Sequence, residues 1–196
     1  MIDIKTFNTF AAMRGTDKLT HGYVEHYSRY LPAKCDSLLE IGVFKGASLK
    51  LWRDLYPKAD IACFDLFLDP LNISKEEVEA MGFRAYQGNQ ESSEDLAKID
   101  GEFDVIIEDG SHRSDHQITT LVDLWPKVKR GGVYVVEDLH TCKEEFYWGN
   151  TFVKEFEHTL LYKLRHPNSP DDFWSQFSDV TSIKLYDDKI AFIFKG

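Results

Sequence analysis

The stretch Phe103–Asp138, FDVIIEDGSHRSDHQITTLVDLWPKVKRGGVYVVED, decides how the whole chain is read. Two apolar, β-branched runs, Phe103–Ile107 and Val133–Val136, each end in a pair of acids, Glu108-Asp109 and Glu137-Asp138. Between them a helical pattern runs from about Asp115 to Lys127, followed by Gly131-Gly132 as a turn. Strand, loop, helix, turn, strand is a βαβ unit, which makes the two strands parallel. Both acid pairs then fall at the same C-terminal edge of one sheet. Neighbouring strands lie roughly 4.8 Å apart, and carboxylates crowded that closely repel unless a cation or a proton lies among them. His112 follows Asp109 by three residues, in the loop at that edge. Consecutive strand residues point to opposite faces, so only some of the four acids converge. Glu108 is the one expected to face solvent.

The rest of the chain repeats this alternation. Upstream, Ser37–Gly42 reads as a short buried strand entering a glycine loop, with a helix from Ser48 to Tyr56 stopped by Pro57. Ile61–Phe64 is a second strand ending in Asp65, and Phe83–Gln87 is a third. Ser74–Glu77 has the form of a capping box, with Gly82 closing the helix it opens, and Ser92–Ile99 is another short helix. Residues 2–13 are weakly amphipathic and helical. Arg14–Tyr23 is a polar turn, and Gly22–Leu31 is a helix ended by Pro32. After Asp138, His140–Asn150 is an aromatic loop, Phe152–Leu164 a helix and Asp171–Phe177 a short aromatic segment. Thr181–Tyr186 and Lys189–Phe194 alternate apolar and polar residues around Asp187-Asp188, the pattern of an antiparallel hairpin.

The expected fold is therefore α/β: a doubly wound, Rossmann-like, mostly parallel seven-stranded sheet with a C-terminal antiparallel hairpin. One domain spans 1–196, with a helical cap at 1–32, a cofactor and metal core at 37–138, a lid and substrate segment at 139–178 and the hairpin at 179–196. Such sheets bind ligands in the crevice at the C-terminal strand ends, where the strand order reverses.

Composition narrows the partners. The 196 residues are 43% apolar and 29% charged, ordinary for a globular chain, and the net charge of −10 argues against nucleic acid or an anionic membrane as the main partner. Cys35, Cys63 and Cys142 form no CxxC pair, which fits a reducing, cytoplasmic setting. There is no apolar run of membrane-spanning length and no signal-peptide core. The aromatic content leaves assembly into a homo-oligomer open.

The loop Glu40-Ile-Gly42-Val-Phe-Lys-Gly46-Ala-Ser48 carries the first ligand signal. Glycine lets backbone approach a ligand closely, and an acid at the strand end accepts hydrogen bonds from an ammonium or hydroxyl. Asp65, at the end of the second strand, is placed to take both hydroxyls of a ribose. Only Gly42 and Gly46 are present, so this is not the GxGxxG dinucleotide fingerprint, and no GK[ST] follows to make a P-loop. With an acid in the turn, a cationic nucleoside such as S-adenosylmethionine is a better guest than a pyrophosphate.

These segments resemble the class I S-adenosylmethionine-dependent methyltransferases. LLEIGVFKGAS resembles that class's first motif, FDLF its second-strand acid, and Gly88-Asn89-Gln90 its third-strand turn. GTDK, EDGSH and VVED together resemble the magnesium-dependent sugar O-methyltransferases of macrolide antibiotic biosynthesis, the mycinamicin-type group. The resemblance implies Asp109, Glu137 and Asp138 as ligands of Mg²⁺ and His112 as the general base. It implies cofactor contacts from the glycine loop with Glu40, Gly42, Gly46 and Ser48, from Asp65, and from Asn89 and Gln90, with Asp109 a further expected contact. Asp17, Lys18, His21 and Tyr23 read either as closing the cofactor site, with Lys18 near the cofactor carboxylate, or as a helix-entry turn with solvated charges. Position 89 is Asn where members often carry Asp, and some members have an additional N-terminal domain for which this chain has no room.

The implied chemistry is methyl transfer to a hydroxyl of a sugar or glycosylated small molecule. Such a hydroxyl holds its proton at neutral pH. A hard cation bound by carboxylates lowers its pKa, and a neighbouring imidazole accepts the proton. The alternatives are a metal-independent small-molecule methyltransferase, a nicotinamide-dependent oxidoreductase using the same crevice, and a non-catalytic nucleoside-binding module. Phe146, Tyr147, Trp148 and Trp174 are read either as an apolar lid over the acceptor or as packing of a long loop.

Overall fold

A computed structural model of the chain describes residues 2–142 and 158–196. In chain order the elements are α1 (Ile4–Arg14), α2 (Tyr23–Tyr30), β1 (Ser37–Ile41), α3 (Ala47–Leu55), β2 (Asp60–Asp65), α4 (Lys75–Ala80), β3 (Arg84–Gln87) and α5 (Ser93–Ala97). They continue with β4 (Phe103–Glu108), α6 (Ser114–Leu124), β5 (Val128–Val136), α7 (Leu160–Arg165), β6 (Val180–Tyr186) and β7 (Ile190–Lys195). The seven strands form one sheet in the order β3-β2-β1-β4-β5-β7-β6. The first five are parallel, and the terminal hairpin enters antiparallel, with β7 against β5. This is the expected architecture. The order reverses between β1 and β4, so the crevice lies beyond Ile41 and Glu108.

Every residue of β1 is buried, and so are five of the six in β4. Strands covered on both faces read as continuous apolar runs, and the period of two divides them between two cores. Leu38, Cys63, Val105, Ile107, Val133 and Val135 meet α1, α2 and α3 on one face. Leu39, Phe64, Ile106, Tyr134 and Val136 meet α5, α6 and α7 on the other. Burying a side chain of this size contributes roughly 1.5–3 kcal/mol, which makes the strand ends a firm base for the loops above them.

The capping box of α4 is complete: Ser74 accepts from the Glu77 amide, and the Glu77 carboxylate accepts from the Ser74 amide. Gly131-Gly132 is not a turn between helix and strand but lies inside β5, where the register against β4 shifts. Gly131 has φ +78°, and a Cβ on Gly132 would sit 2.9 Å from the Asp104 carbonyl. Only glycine lets the bulged strand pass so close to its neighbour. The helix expected to run to Lys127 ends at Leu124, and Pro126 sits in a 3₁₀ turn, Trp125–Lys127. Of the helix expected over Phe152–Leu164, residues 152–157 lie outside the described residues, as do Phe146, Tyr147 and Trp148. Trp174 packs against Phe173 and Phe177 and donates to the Lys163 carbonyl, so its contacts are those of core packing. Cys35 and Cys63 are buried free thiols. Among the described residues no helix is long and apolar enough to cross a membrane.

Candidate functional site

Strand pairing continues one residue past each strand and pins the site's backbone. The Gly42 amide donates to the Phe64 carbonyl, Asp109 to Ile41 and Glu137 to Glu108, each at 2.9 Å. The pleat then sorts the acids by face. Glu40 pairs in register with Ile107, so Glu40, Asp109 and Glu137 belong to the α1/α2 face. Glu108, level with Ile41 and Val136, belongs to the α6 face.

On the first face the acids converge on one ammonium. Lys18 is fully buried, with Nζ 2.7 Å from Asp109 Oδ2, 2.7 Å from Glu137 Oε1 and 3.8 Å from Glu40 Oε1. Burial alone would lower this ammonium, but Asp109, Glu137 and Glu40 outweigh it and hold the pKa well above the usual lysine range. One ammonium does not neutralise three carboxylates. The surplus appears at Glu137, pushed well up by burial and by Asp109 against the lowering effect of Lys18. It also appears at Glu40, which burial raises to about 7. Neutral donors complete the cluster. Tyr27 donates to Glu137 and Tyr23 donates to Asp138 Oδ1 at 2.6 Å. Ser48 and Trp52, one turn apart on α3, hold the two oxygens of Glu40 at 2.8 and 3.0 Å. Tyr23 and Tyr27 share a spacing of four on α2, the signal by which they could have been found.

Above this layer lies a cavity of about 550 Å³, a size suited to a small organic ligand. Its walls include Gly42, Ser48, Asp65, Asn89, Gln90 and Asp109 from the expected cofactor set. A Cβ on Gly42, at φ +90°, would fall 2.1 Å from the Asp109 carbonyl oxygen. The glycine loop therefore rests directly on the loop that carries Asp109. Asp65 accepts from the Val43 amide at 2.7 Å and from the Phe67 amide at 2.9 Å, which braces the loops around it. Lys18, Glu40 and Gly46, also expected as contacts, do not line this cavity. Lys18 and Glu40 are spent on each other and their partners behind its wall. Gly46 turns the chain into α3 at φ +72°.

Among the residues lining the cavity, the ligand atoms of Asp109, His112 and Asp138 lie within 4.8 Å of one another. His112 Nε2 is 3.7 Å from Asp138 Oδ2. His112 and Asp138 adopt φ +58° and +54°, left-handed conformations uncommon for residues other than glycine. Glu137, expected as the third metal ligand, is not part of this group; its Oε1 is held by Lys18 and Tyr27.

Glu108 reverses its expectation. It is fully buried, not solvated. Its Oε1 accepts from Gln90 Nε2 at 2.8 Å, while Gln90 Oε1 accepts from the Ser111 amide at 2.7 Å. Gln90 thus ties the turn after β3 to the loop after β4. Burial, then the charge of Asp109, push Glu108 up to about 7 against the lowering bond from Gln90. The folded state keeps this proton at pH values where the unfolded chain, near about 4.3, has lost it. The contribution is therefore fully favourable below about pH 4 and is lost as pH rises through about 7, by roughly 3–4 kcal/mol in all. Thermal midpoints at about pH 5 and pH 8 are expected to fall with pH in the wild type and to differ less in Glu108→Gln. An unchanged slope in the variant would remove Glu108 as its source.

A family model described as "Methyltransferase domain" matches residues 39–139. Mycinamicin VI 2''-O-methyltransferase of Micromonospora griseorubida is 30% identical over 172 residues, covering 78% of this chain and 42% of that protein. L-olivosyl-oleandolide 3-O-methyltransferase of Streptomyces antibioticus is 34% identical over 138 residues, covering 65% of this chain and 34% of that protein. The chain spans less than half the length of these relatives. Among solved structures, the MycE methyltransferase from the mycinamycin biosynthetic pathway, in complex with Mg, SAH and mycinamycin VI, matches with a TM-score of 0.79. Identity is 28%, covering 97% of this chain and 53% of that one. A putative caffeoyl-CoA O-methyltransferase from Staphylococcus aureus shares the fold, with a TM-score of 0.63 at 17% identity, over 100% of this chain and 93% of that one.

Proposed function

The chain belongs to the methyltransferase-domain family, and from that premise we propose that it is an S-adenosylmethionine-dependent, Mg²⁺-dependent O-methyltransferase. Its acceptor is a hydroxyl of a sugar or of a glycosylated small molecule, and the class of natural product follows the macrolide and polyketide sugars named for its relatives. The observation that carries the reading is the adjacency of two features. A cavity of about 550 Å³, walled by the glycine loop, Asp65 and the Asn89-Gln90 turn, is also lined by the Asp109–His112–Asp138 cluster.

When bound, the sulfonium cofactor supplies a transferable methyl group, and Mg²⁺ acidifies and orients a hydroxyl. The donor set fits such an ion, since carboxylate oxygens are the hard ligands it prefers. Asp109 and Asp138 would hold it, and Glu137 would join them by giving up its bond to Lys18 or Tyr27. Gly42 would admit the cofactor close to the backbone, Asp65 would hold its ribose and the Asn89-Gln90 turn its base. His112 Nε2 would take the proton of the acceptor hydroxyl. Asp138, 3.7 Å from that nitrogen, faces the imidazolium that results. In domain terms, residues 2–32 would cap the core of 37–138.

Calorimetric titration of S-adenosylhomocysteine, with and without Mg²⁺, tests the reading. Binding is expected, and Asp65→Ala is expected to weaken it at least tenfold. Absence of binding by both S-adenosylhomocysteine and S-adenosylmethionine would overturn it.

A further inference from the structure

Ser111 and His116 line the cavity beside Asn89 and Gln90, yet neither has a part in the proposed chemistry. With Glu91 they form a carboxylate, an imidazole and a hydroxyl linked in sequence. Glu91 Oε2 lies 3.6 Å from His116 Nε2, and His116 Nδ1 lies 2.9 Å from the Ser111 hydroxyl oxygen. The His116 side chain is only 12% exposed. Asn89 extends the series, its side-chain amide donating to Glu91 Oε2 at 3.5 Å. An aspartate at position 89 could not make that bond and would repel Glu91.

This order fixes the polarity of the hydroxyl. A carboxylate facing Nε2 favours the neutral tautomer with its proton on that nitrogen, which leaves Nδ1 as an acceptor. The Ser111 O–H then donates to Nδ1. One of its two lone pairs accepts from the Arg113 amide at 3.3 Å. The other is what Ser111 offers to a ligand, so the ligand meets an acceptor and not a donor.

Gln90 does not compete for that part. Its amide nitrogen is held by Glu108 and Thr120 at 2.8 and 3.3 Å, and its oxygen accepts from the Ser111 amide at 2.7 Å. A Cβ on Gly110 would fall 2.1 Å from that oxygen, so the turn after β3 and the loop after β4 are in direct contact. The Ser111 backbone is thereby tied to the turn while its hydroxyl remains for the cavity.

We propose that Ser111, oriented by His116, is a specificity-determining residue of the nucleoside site. It accepts a hydrogen bond from an exocyclic amino group and selects a 6-aminopurine over a 6-oxopurine, with His116 as the positioning residue. This rests on the proposed nucleoside cofactor with its base at the Asn89-Gln90 turn, and deepens it by naming the atom that reads the base. A 6-oxo base brings a carbonyl oxygen to the same lone pair, and two acceptors then face each other with no proton between them.

The test compares S-adenosylhomocysteine with its 6-oxo analogue, S-inosylhomocysteine, by calorimetric titration into the whole chain at about pH 8.5, where an ordinary imidazole is neutral. The wild type is expected to prefer the adenosyl ligand at least about tenfold. His116→Phe and Ser111→Ala are each expected to cut that preference at least about fivefold, and the double variant to add nothing further, because the two residues act as one unit. His116→Asn, whose side-chain oxygen can take the place of Nδ1, is expected to keep most of the preference. Ser111→Ala alters an exposed loop residue and decides the matter if His116→Phe does not fold. Equal affinities in the wild type, an unchanged preference in Ser111→Ala, or additive losses in the double variant would overturn the proposal while leaving the methyltransferase reading intact. Absence of binding by S-adenosylhomocysteine and S-adenosylmethionine alike would end both.

Discussion

A Lys18→Met variant is expected to unfold at a midpoint at least ~6 °C below the wild type in the absence of divalent ions. Lys18 is the one cation within 4 Å of Glu40, Asp109 and Glu137 among the described residues. Methionine matches its length but leaves the carboxylates facing one another in a dry layer. Removing one partner of a buried ion pair typically costs about 3–5 kcal/mol, because the remaining charge is uncompensated. For a domain of this size each kcal/mol moves the midpoint by roughly 2–4 °C. Glu137, already pushed up by burial and by Asp109, would take up a proton to relieve part of the strain. The variant's deficit should therefore shrink as the pH is lowered, and Mg²⁺ should restore part of it at neutral pH. Differential scanning calorimetry with and without Mg²⁺ reads all three effects. A midpoint within 2 °C of the wild type would mean that the acids are already protonated and that Lys18 is not their counter-ion.

The second large effect is on turnover. In the proposed methyl transfer, His112→Asn is expected to lower kcat by about 10²–10⁴-fold, the usual worth of a positioned general base. The Kd for S-adenosylhomocysteine should stay within twofold, because the expected cofactor contacts lie at the glycine loop, Asp65 and the Asn89-Gln90 turn and do not include the His112 imidazole. Alanine is the poorer choice here, since φ is +58° at this position and asparagine tolerates that region better. Single-turnover rates with a sugar acceptor, set beside cofactor affinity, separate a lost base from a lost pocket. A variant that turns over at the wild-type rate would remove His112 from the chemistry.

Strand ends were the most legible part of the sequence. Apolar runs stopping at acids located β2, β4 and β5, an apolar run entering a glycine loop located β1, and the two acid pairs pointed to one sheet edge before any coordinates. The alternation of faces was also visible, but not its outcome. Glu108 was assigned to solvent because an acid is normally exposed. Only the turn after β3, 18 residues away, supplies the Gln90 amide that makes its burial tolerable. Lys18 was legible as a charged residue near a glycine turn. Its place beneath the edge depends on contacts 91 and 119 residues distant, which no local pattern carries. Gly131-Gly132 has the form of a turn, yet those residues serve a bulge whose need arises from Asp104 on the neighbouring strand.

The long separation between Lys18 and its acids also bears on the order in which the molecule is built. Helices α1 and α2 emerge from a ribosome well before β4 and β5 exist. At about 5–20 residues per second, the 119 residues between Lys18 and Glu137 take roughly 6–24 s to make. Glu40, at 3.8 Å, is the one acid of the three made early, and Asp109 and Glu137, both at 2.7 Å, follow 91 and 119 residues after Lys18. Burying the ammonium without them would cost several kcal/mol, so the N-terminal helices settle fully onto the sheet only after β4 and β5 are made. The edge that carries the candidate chemistry then closes no earlier than β5, and a nascent chain truncated before Asp109 should leave its N-terminal thirty residues open to proteases.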